Sequence, residues 1–331
     1  MKSFGVTITG TGSYTPERVL TNHDLEQMVD TSDEWIQART GIRERRIAAP
    51  EQTTSDLACE AAKQALQQAK LDPEELDLII VATISPDRPF PNTACFVQKK
   101  LKADQSACFS IEAACSGFIY AMQAANGLIR TGLARRALIV GAEKISMTVD
   151  WQDRNTCVLF GDGAGAMILE RTDDPAKNVC LAADMGSDGT YTDLLTVPGG
   201  GSEKPPSHEM LEEGLQYLKM EGREVFKLAV NAMVNSASAV LQKAGLKGES
   251  LRWLVPHQAN TRIIQAVGKR LGVPEDKVFM NLEHYGNTSA ATIPICLNEL
   301  NRGGHLQTGD LVLVVAFGAG LTWGAALLRW P

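Results

Sequence analysis

Two apolar runs in the first half of the chain recur in the second at one spacing. "LDLIIVAT", starting at Leu76, lines up with "LRWLVPHQ", starting at Leu251, 175 residues later. "LIVGA" at Leu138 lines up with "LVVAF" at Leu313, again 175 residues on. The segment around Cys115 matches that around Thr288, "HYGNTSAATIPI", at 173. Three correspondences at nearly one offset predict two related units, residues 1–175 and 176–331, stacked as a pseudo-twofold pair. A chain of 331 residues is long enough for two such units around a substantial core.

Both units read as α/β, because short apolar runs bounded by turn residues alternate with helical periodicity. The first offers strands at "FGVTITG" (4–10), "LDLIIVAT" (76–83), "ACFSIEA" (107–113), "RALIVGA" (136–142) and "GAGAMILER" (163–171). The second offers "VCLAADMGS" (179–187), "LRWLVPHQ" (251–258), "KVFMNL" (277–282), "DLVLVVAFG" (310–318) and "TWGAALLRW" (322–330). Residues 53–70 predict a helix opened by hydroxyl and acidic residues, and 222–245 one stopped by Gly245. "PGGGSEKPPSHEMLEEG" (198–214) reads as a long surface loop.

A net charge of -7 argues against nucleic-acid binding. Seven cysteines, with no C-x-x-C pair and no Cys/His cluster, argue against a disulfide framework and against a metal site. "MKSFGVTITGTGSY" lacks the apolar region of a signal peptide, and no run approaches the roughly 18 apolar residues of a membrane span. The expectation is a reduced, soluble, cytoplasmic protein without a membrane partner. "GDGAGA" (161–166) lacks a phosphate loop's lysine and reads as tight packing, while "GTGSYTP" (10–16) is a weak dinucleotide signal.

Cys115 stands between a strand-like run and a helix-like run in "IEAACSGFIYAM". A helix N-terminus favours thiolate, but by only about 0.3–1 kcal/mol, under one pKa unit at about 1.36 kcal/mol each. Position alone therefore also suits a small core residue; a reactive thiol needs a base or a dry polar pocket as well. In a pseudo-twofold arrangement, His257 falls just past a strand end and Asn287 at the joint equivalent to that of Cys115. All three would converge where strand ends place their sites. His257 and Asn287 could then donate to a developing oxyanion, and the glycines of "AFGAGLTWG" (316–324) would let backbone approach closely.

"AACSGF" (113–118), "HQAN" (257–260) and "GNTSAA" (286–291), in this order, resemble the β-ketoacyl-acyl-carrier-protein synthase III family. The flanking "GTGSYTPE", "TSDEWIQARTGIRERR", "FGDGAGA" and "GLTWGAALLRW" agree, so the likeness runs from about residue 5 to the C-terminus. It implies a thiolase-like αβαβα fold with two five-stranded sheets, a homodimer, and no cofactor beyond the CoA thioester substrate. It also implies a ping-pong reaction. Cys115 takes an acyl group from acyl-CoA; malonyl-acyl-carrier protein then loses CO2 and condenses with it. His257 and Asn287 would stabilise the enolate, and N–H groups of Cys115 and the Gly318-Ala319-Gly320 loop the tetrahedral intermediate. The family's usual loop is three glycines, so Ala319 is a departure, harmless at an ordinary φ.

By the same resemblance Trp35 and Arg154 would sandwich the adenine, and Thr31 and Arg39 contact the nucleotide end. Gly222 and Asn260 would line the pantetheine tunnel, and Phe90 would project toward the partner's acyl pocket, favouring short chains such as acetyl. Lys227, Arg262, Lys269 and Arg270 would form the basic dock for an acidic carrier protein. Degradative thiolases use a second cysteine near the C-terminal loop, and none lies in residues 297–331. Elongating ketosynthases pair the cysteine with two histidines, where this chain has Asn287. A relative handling a non-acetyl group in secondary metabolism, or a Cys/His thioester hydrolase, are the rival readings.

Overall fold

The computed structural model describes residues 3–331. The strand-like runs of the first unit become β1 (Gly5–Tyr14), β2 (Leu78–Ala82), β3 (Ala107–Ile111), β4 (Arg136–Glu143) and β5 (Gly163–Thr172). Those of the second become β6 (Cys180–Ser187), β7 (Trp253–Pro256), β8 (Leu311–Gly318) and β9 (Thr322–Arg329). The first sheet runs β1-β5-β4-β2-β3 and the second β6-β9-β8-β7. Strand directions follow one scheme in both: two antiparallel pairings, then parallel ones. The repeat in the sequence is a repeat of topology.

The second sheet has four strands, not the five expected. "KVFMNL" supplies only a single parallel bridge, Val278 beside Leu254, where the first sheet has β3. Phe279 N–H still donates to Leu254 O at 2.9 Å. Two residues on, the buried Gln258 side chain captures Asn281 N–H at 3.1 Å and the chain turns into a short helix, Leu282–Tyr285. The apolar pattern was right; a competing hydrogen bond ends the strand.

Each sheet is covered on both faces, so its central strands are apolar on both sides. The main helices are α1 (Asp33–Thr40), α2 (Thr54–Ala69), α3 (Gly117–Arg130), α4 (Gly222–Ala244), α5 (Thr261–Arg270) and α6 (Thr292–Arg302). Leu78, Ile80 and Ala82 of β2 face a central layer holding α3 and α6, while Ile79 and Val81 face α2. Val312, Val314 and Ala316 of β8 face the same central layer, and Leu313, Val315 and Phe317 face α4 and α5. The result is a layered αβαβα arrangement with α3 and α6 at its centre.

Helix ends follow local chemistry. Thr53 and Asp56 form a reciprocal capping box before α2, and Gly245, at φ 66°, closes α4. The 198–214 loop carries one short helix, His208–Glu212, which buries Met210. Among the described residues no helix is long and apolar enough to cross a membrane.

One correspondence shifts. A single 3-10 turn precedes each central helix, Ala114–Ser116 before α3 and Ser289–Ala291 before α6. Ala114 (φ 43°) and Ser289 (φ 51°) share a left-handed backbone and are 175 residues apart, as are the helix starts at Gly117 and Thr292. Cys115 is therefore equivalent to Ala290. Asn287 lies in the loop two residues before the turn, so the 173 offset and the equivalence drawn from it are corrected.

Candidate active site

The turn before α3 holds Cys115 at 7% exposure, and the end of β8 lies directly beneath it. A Cβ built on Gly318 would stand 2.6 Å from Cys115 N and 3.0 Å from the Ala114 methyl, which explains a glycine there. Gly318→Ala should push the turn outward, costing about 1–3 kcal/mol of stability and slowing thiol alkylation. Thermal melts with iodoacetamide labelling check this, and wild-type values on both would remove Gly318 from the site. Ala319 is not among the residues with positive φ, so its methyl carries no backbone penalty, and its carbonyl accepts from Thr322 Oγ1 at 3.1 Å.

Burial pushes the Cys115 thiol up to about 12, partly opposed by a hydrogen bond with the Ser289 side chain and reinforced by the nearby charge of Glu143. The thiol thus holds its proton at neutral pH, and any nucleophile must form as the proton leaves. His257 follows β7, with its N–H on Val315 O at 2.8 Å and only 3% exposure. Burial alone pushes its imidazolium down to about 3, so the ring is neutral.

Nδ1 of His257 lies 2.8 Å from Thr292 Oγ1, and that hydroxyl also lies 3.0 Å from Ser289 O. Thr292 engages Nδ1 and donates to Ser289 O, which leaves Nε2 as the ring nitrogen for the cavity. Asn287 is oriented unambiguously. Its Oδ1 accepts Ser289 N–H at 2.8 Å, which leaves the amide NH2 as donor. Its backbone is tied to Leu159 O and Gly161 N–H.

Cys115, His257 and Asn287 line one cavity of about 550 Å³. Gly222, Asn260, Ala319 and Gly320 line it too, among apolar side chains such as Phe226 and Met220. A thiol, a neutral imidazole, an amide donor and apolar walls around one cavity suit a thioester, whose carbonyl oxygen gains negative charge as it reacts.

The other expected residues lie outside this cavity. The Arg154 guanidinium rests 4.4 Å from the centre of the Trp35 ring, and that of Arg39 lies 5.1 Å from it. A flat ring between Trp35 and Arg154 needs roughly 3.5 Å on each side, so the adenine sandwich is closed here and would require Arg154 to swing aside. Thr31 Oγ1 is buried without a partner among the described residues. Phe90 is 84% exposed.

Lys227, Arg262, Lys269 and Arg270 are all exposed on the adjacent helices α4 and α5. Arg270 donates to Asn231 Oδ1 at 2.8 Å across the helix pair, and Arg262 lies over the Phe226 ring at 5.7 Å. Lys227 is paired with Glu224 at 3.0 Å, which weakens its share of the patch.

Glu143, Ser289 and Thr292 touch this machinery and were missed by sequence reasoning. Ser289 and Thr292 stand inside the quoted "GNTSAATIPI" without a role assigned. Glu143 carried the clearer signal: a carboxylate directly after the apolar run "RALIVGA" has no reason to sit there unless something donates to it.

Two α/β halves of one topology, with a thiol, an imidazole and an amide meeting between them, define a condensing acyltransferase of thiolase-like fold. Residues 109–189 match the family profile described as 3-oxoacyl-[acyl-carrier-protein (ACP)] synthase III, and residues 241–330 match that family's C-terminal profile. The chain belongs to this family. A Caldanaerobacter subterraneus subsp. tengcongensis relative named beta-ketoacyl-[acyl-carrier-protein] synthase III is 54% identical over 323 residues, spanning 98% of this chain and 97% of its own. The crystal structure of 3-oxoacyl-[acyl-carrier-protein] synthase III from Aquifex aeolicus VF5 matches with TM-score 0.91 and 52% identity, over 98% of this chain and 100% of the other. That of the priming beta-ketosynthase from the R1128 polyketide biosynthetic pathway matches with TM-score 0.91 at 36% identity, over 100% and 97%.

Proposed function

We propose that this enzyme condenses a short acyl-CoA with malonyl-acyl-carrier protein, releasing CoA and CO2 and initiating fatty-acid synthesis. Cys115 carries the acyl group between the two half-reactions. His257 through Nε2 and Asn287 through its amide hold the malonyl thioester carbonyl as CO2 leaves, because negative charge builds on that oxygen. The N–H groups of Cys115 and of the Gly318–Gly320 loop serve the tetrahedral intermediate. The single cavity joining the thiol to both donors carries this reading.

Thr31, Trp35, Arg39 and Arg154 hold the nucleotide end of CoA once Arg154 leaves the Trp35 face, and Gly222 and Asn260 flank the pantetheine arm. No cofactor takes part beyond the CoA thioester itself. Residues 1–175 and 176–331 act as the two halves, the first bringing the nucleophile and the second the donors. A homodimer in the cytoplasm is the working form. The partly exposed edge strand β3 and the exposed Phe90 support a partner there, Phe90 entering the partner's acyl pocket. Labelled acetyl-CoA incubated with malonyl-carrier protein tests the assignment: 3-ketoacyl-carrier protein is expected, and free acetate without condensation would make the enzyme a hydrolase.

Carrier protein docks on Arg262, Lys269 and Arg270, with Lys227 at the margin. The double variant Lys269→Glu, Arg270→Glu should raise KM for malonyl-carrier protein about tenfold at low salt, with acylation by acyl-CoA unchanged. The difference should shrink as ionic strength rises. An unchanged KM would place the dock elsewhere. The likeness to the R1128 priming ketosynthase supports a second reading, in which Cys115 accepts a group other than acetyl for a secondary product. Intact-mass measurement after exposure to mixed acyl-CoAs separates the two.

A further inference from the structure

Glu143 ends β4 with no exposed surface and no cation paired to it among the described residues. Its Oε2 accepts from the hydroxyls of Ser85 at 2.6 Å and Thr83 at 3.1 Å and from Ile84 N–H at 3.1 Å. Its Oε1 accepts from the hydroxyl of Ser289 at 3.0 Å. The turn that carries Ser289 packs directly against the turn that carries Cys115, and the serine side chain is one of the influences on the thiol. Hydroxyl and carboxylate thus sit behind the Cys115 turn, closed off from solvent at the carboxylate end. A buried carboxylate lacking a counter-ion is costly, and a fold that keeps one beside its nucleophile invites a use for it.

We infer that Ser289 and Glu143 are the path by which the Cys115 proton leaves on acylation and returns on condensation. The inference rests on Cys115 being the acyl acceptor. As sulfur bonds to the thioester carbon, the thiol proton passes to Ser289 Oγ while the proton of Ser289 passes to Glu143 Oε1. CoA departs as thiolate and takes its proton from water. In the second half-reaction the enolate carbon attacks the acyl carbon and the sulfur–acyl bond breaks. The cysteine thiolate then recovers its proton along the same path, and Glu143 is a carboxylate again.

Three features support this. Burial outweighs the four donors and pushes Glu143 up to about 7, where a carboxylate can both take and return a proton near neutrality. Ser289 shares the left-handed backbone of its equivalent Ala114, and the two turns pack against each other. The other titratable groups nearby are engaged elsewhere. The Lys144 ammonium is held by the carbonyls of Ala49, Pro50 and Gln52, Asp162 by Ser146 and Ala48, and His257 by Thr292. The charge of Glu143 is one of the causes that raise the Cys115 thiol. On this path Ser289 is the group that meets the sulfur, and Glu143 is a positioning residue that acts through it.

The test measures acyl-Cys115 formation against pH by rapid quenching and intact mass, in wild type, Glu143→Gln and Ser289→Ala. Wild-type acylation should rise with pH through an inflection near 7. Both variants should lose that inflection and acylate about 10²-fold more slowly, with KM for acyl-CoA unchanged. Alanine already occupies the equivalent left-handed position at Ala114, so Ser289→Ala keeps the turn and decides the question if Glu143→Gln does not fold. Wild-type rate and pH profile in Ser289→Ala would overturn the proton path while leaving the functional reading intact. Failure of the wild type itself to acylate would overturn that reading instead.

Discussion

Cys115→Ala should gain no mass on incubation with acyl-CoA and should lose condensation by about 10⁴-fold or more. The methyl group fills most of the space of a thiol that is already buried, so the fold should hold. What disappears is the atom that carries the acyl group between two substrates that never meet. The half-reaction belonging to the other residues should survive in part. His257 and Asn287 remain in place, so slow decarboxylation of malonyl-carrier protein should still release CO2. Intact mass after acyl-CoA treatment, with CO2 release measured in parallel, checks both statements. A mass increment in the variant would move the nucleophile to another of the seven cysteines.

His257→Ala should divide the reaction the other way. Acylation of Cys115 should persist, because the thiol proton leaves through Ser289 rather than through the imidazole. Condensation should fall by about 10²–10³-fold, the ordinary loss on removing one preorganised donor from a developing oxyanion. Since burial holds the imidazolium down to about 3, His257 is neutral throughout the working range. Loss of condensation activity on acidification to about pH 5 should therefore not trace to this ring. Single-turnover condensation from pre-acylated enzyme isolates the step. Undiminished turnover there would remove His257 from the enolate site.

Much of this was legible in the chain, for local reasons. The helix at 54–69 announced its start through Thr53 and Asp56, and Gly245 its successor's end, because caps and left-handed closures are made by neighbouring residues. The pairs at offset 175 were visible because the matching strands, covered on both faces, are buried and therefore apolar. The nucleophile, imidazole and amide were named from motifs, and all three line one cavity.

Where expectation and structure part, a distant partner is responsible. The fifth strand of the second sheet is lost because Gln258 takes Asn281 N–H, a competition that no propensity in "KVFMNL" reveals. Trp35 and Arg154, 119 residues apart, are brought together because an aromatic face attracts a guanidinium. The 173 offset failed because the turns, rather than the flanking motifs, are the repeated feature.

By itself the sequence determined the repeated α/β plan and pointed to the thiol, imidazole and amide that line one cavity, since both are written in local pattern and residue type. Only the tertiary structure decided how those side chains are protonated and oriented. Glu143 meets Ser289 across 146 residues and His257 meets Thr292 across 35. Burial at those meetings, which exists only in the packed chain, sets which atoms hold protons and which can release them.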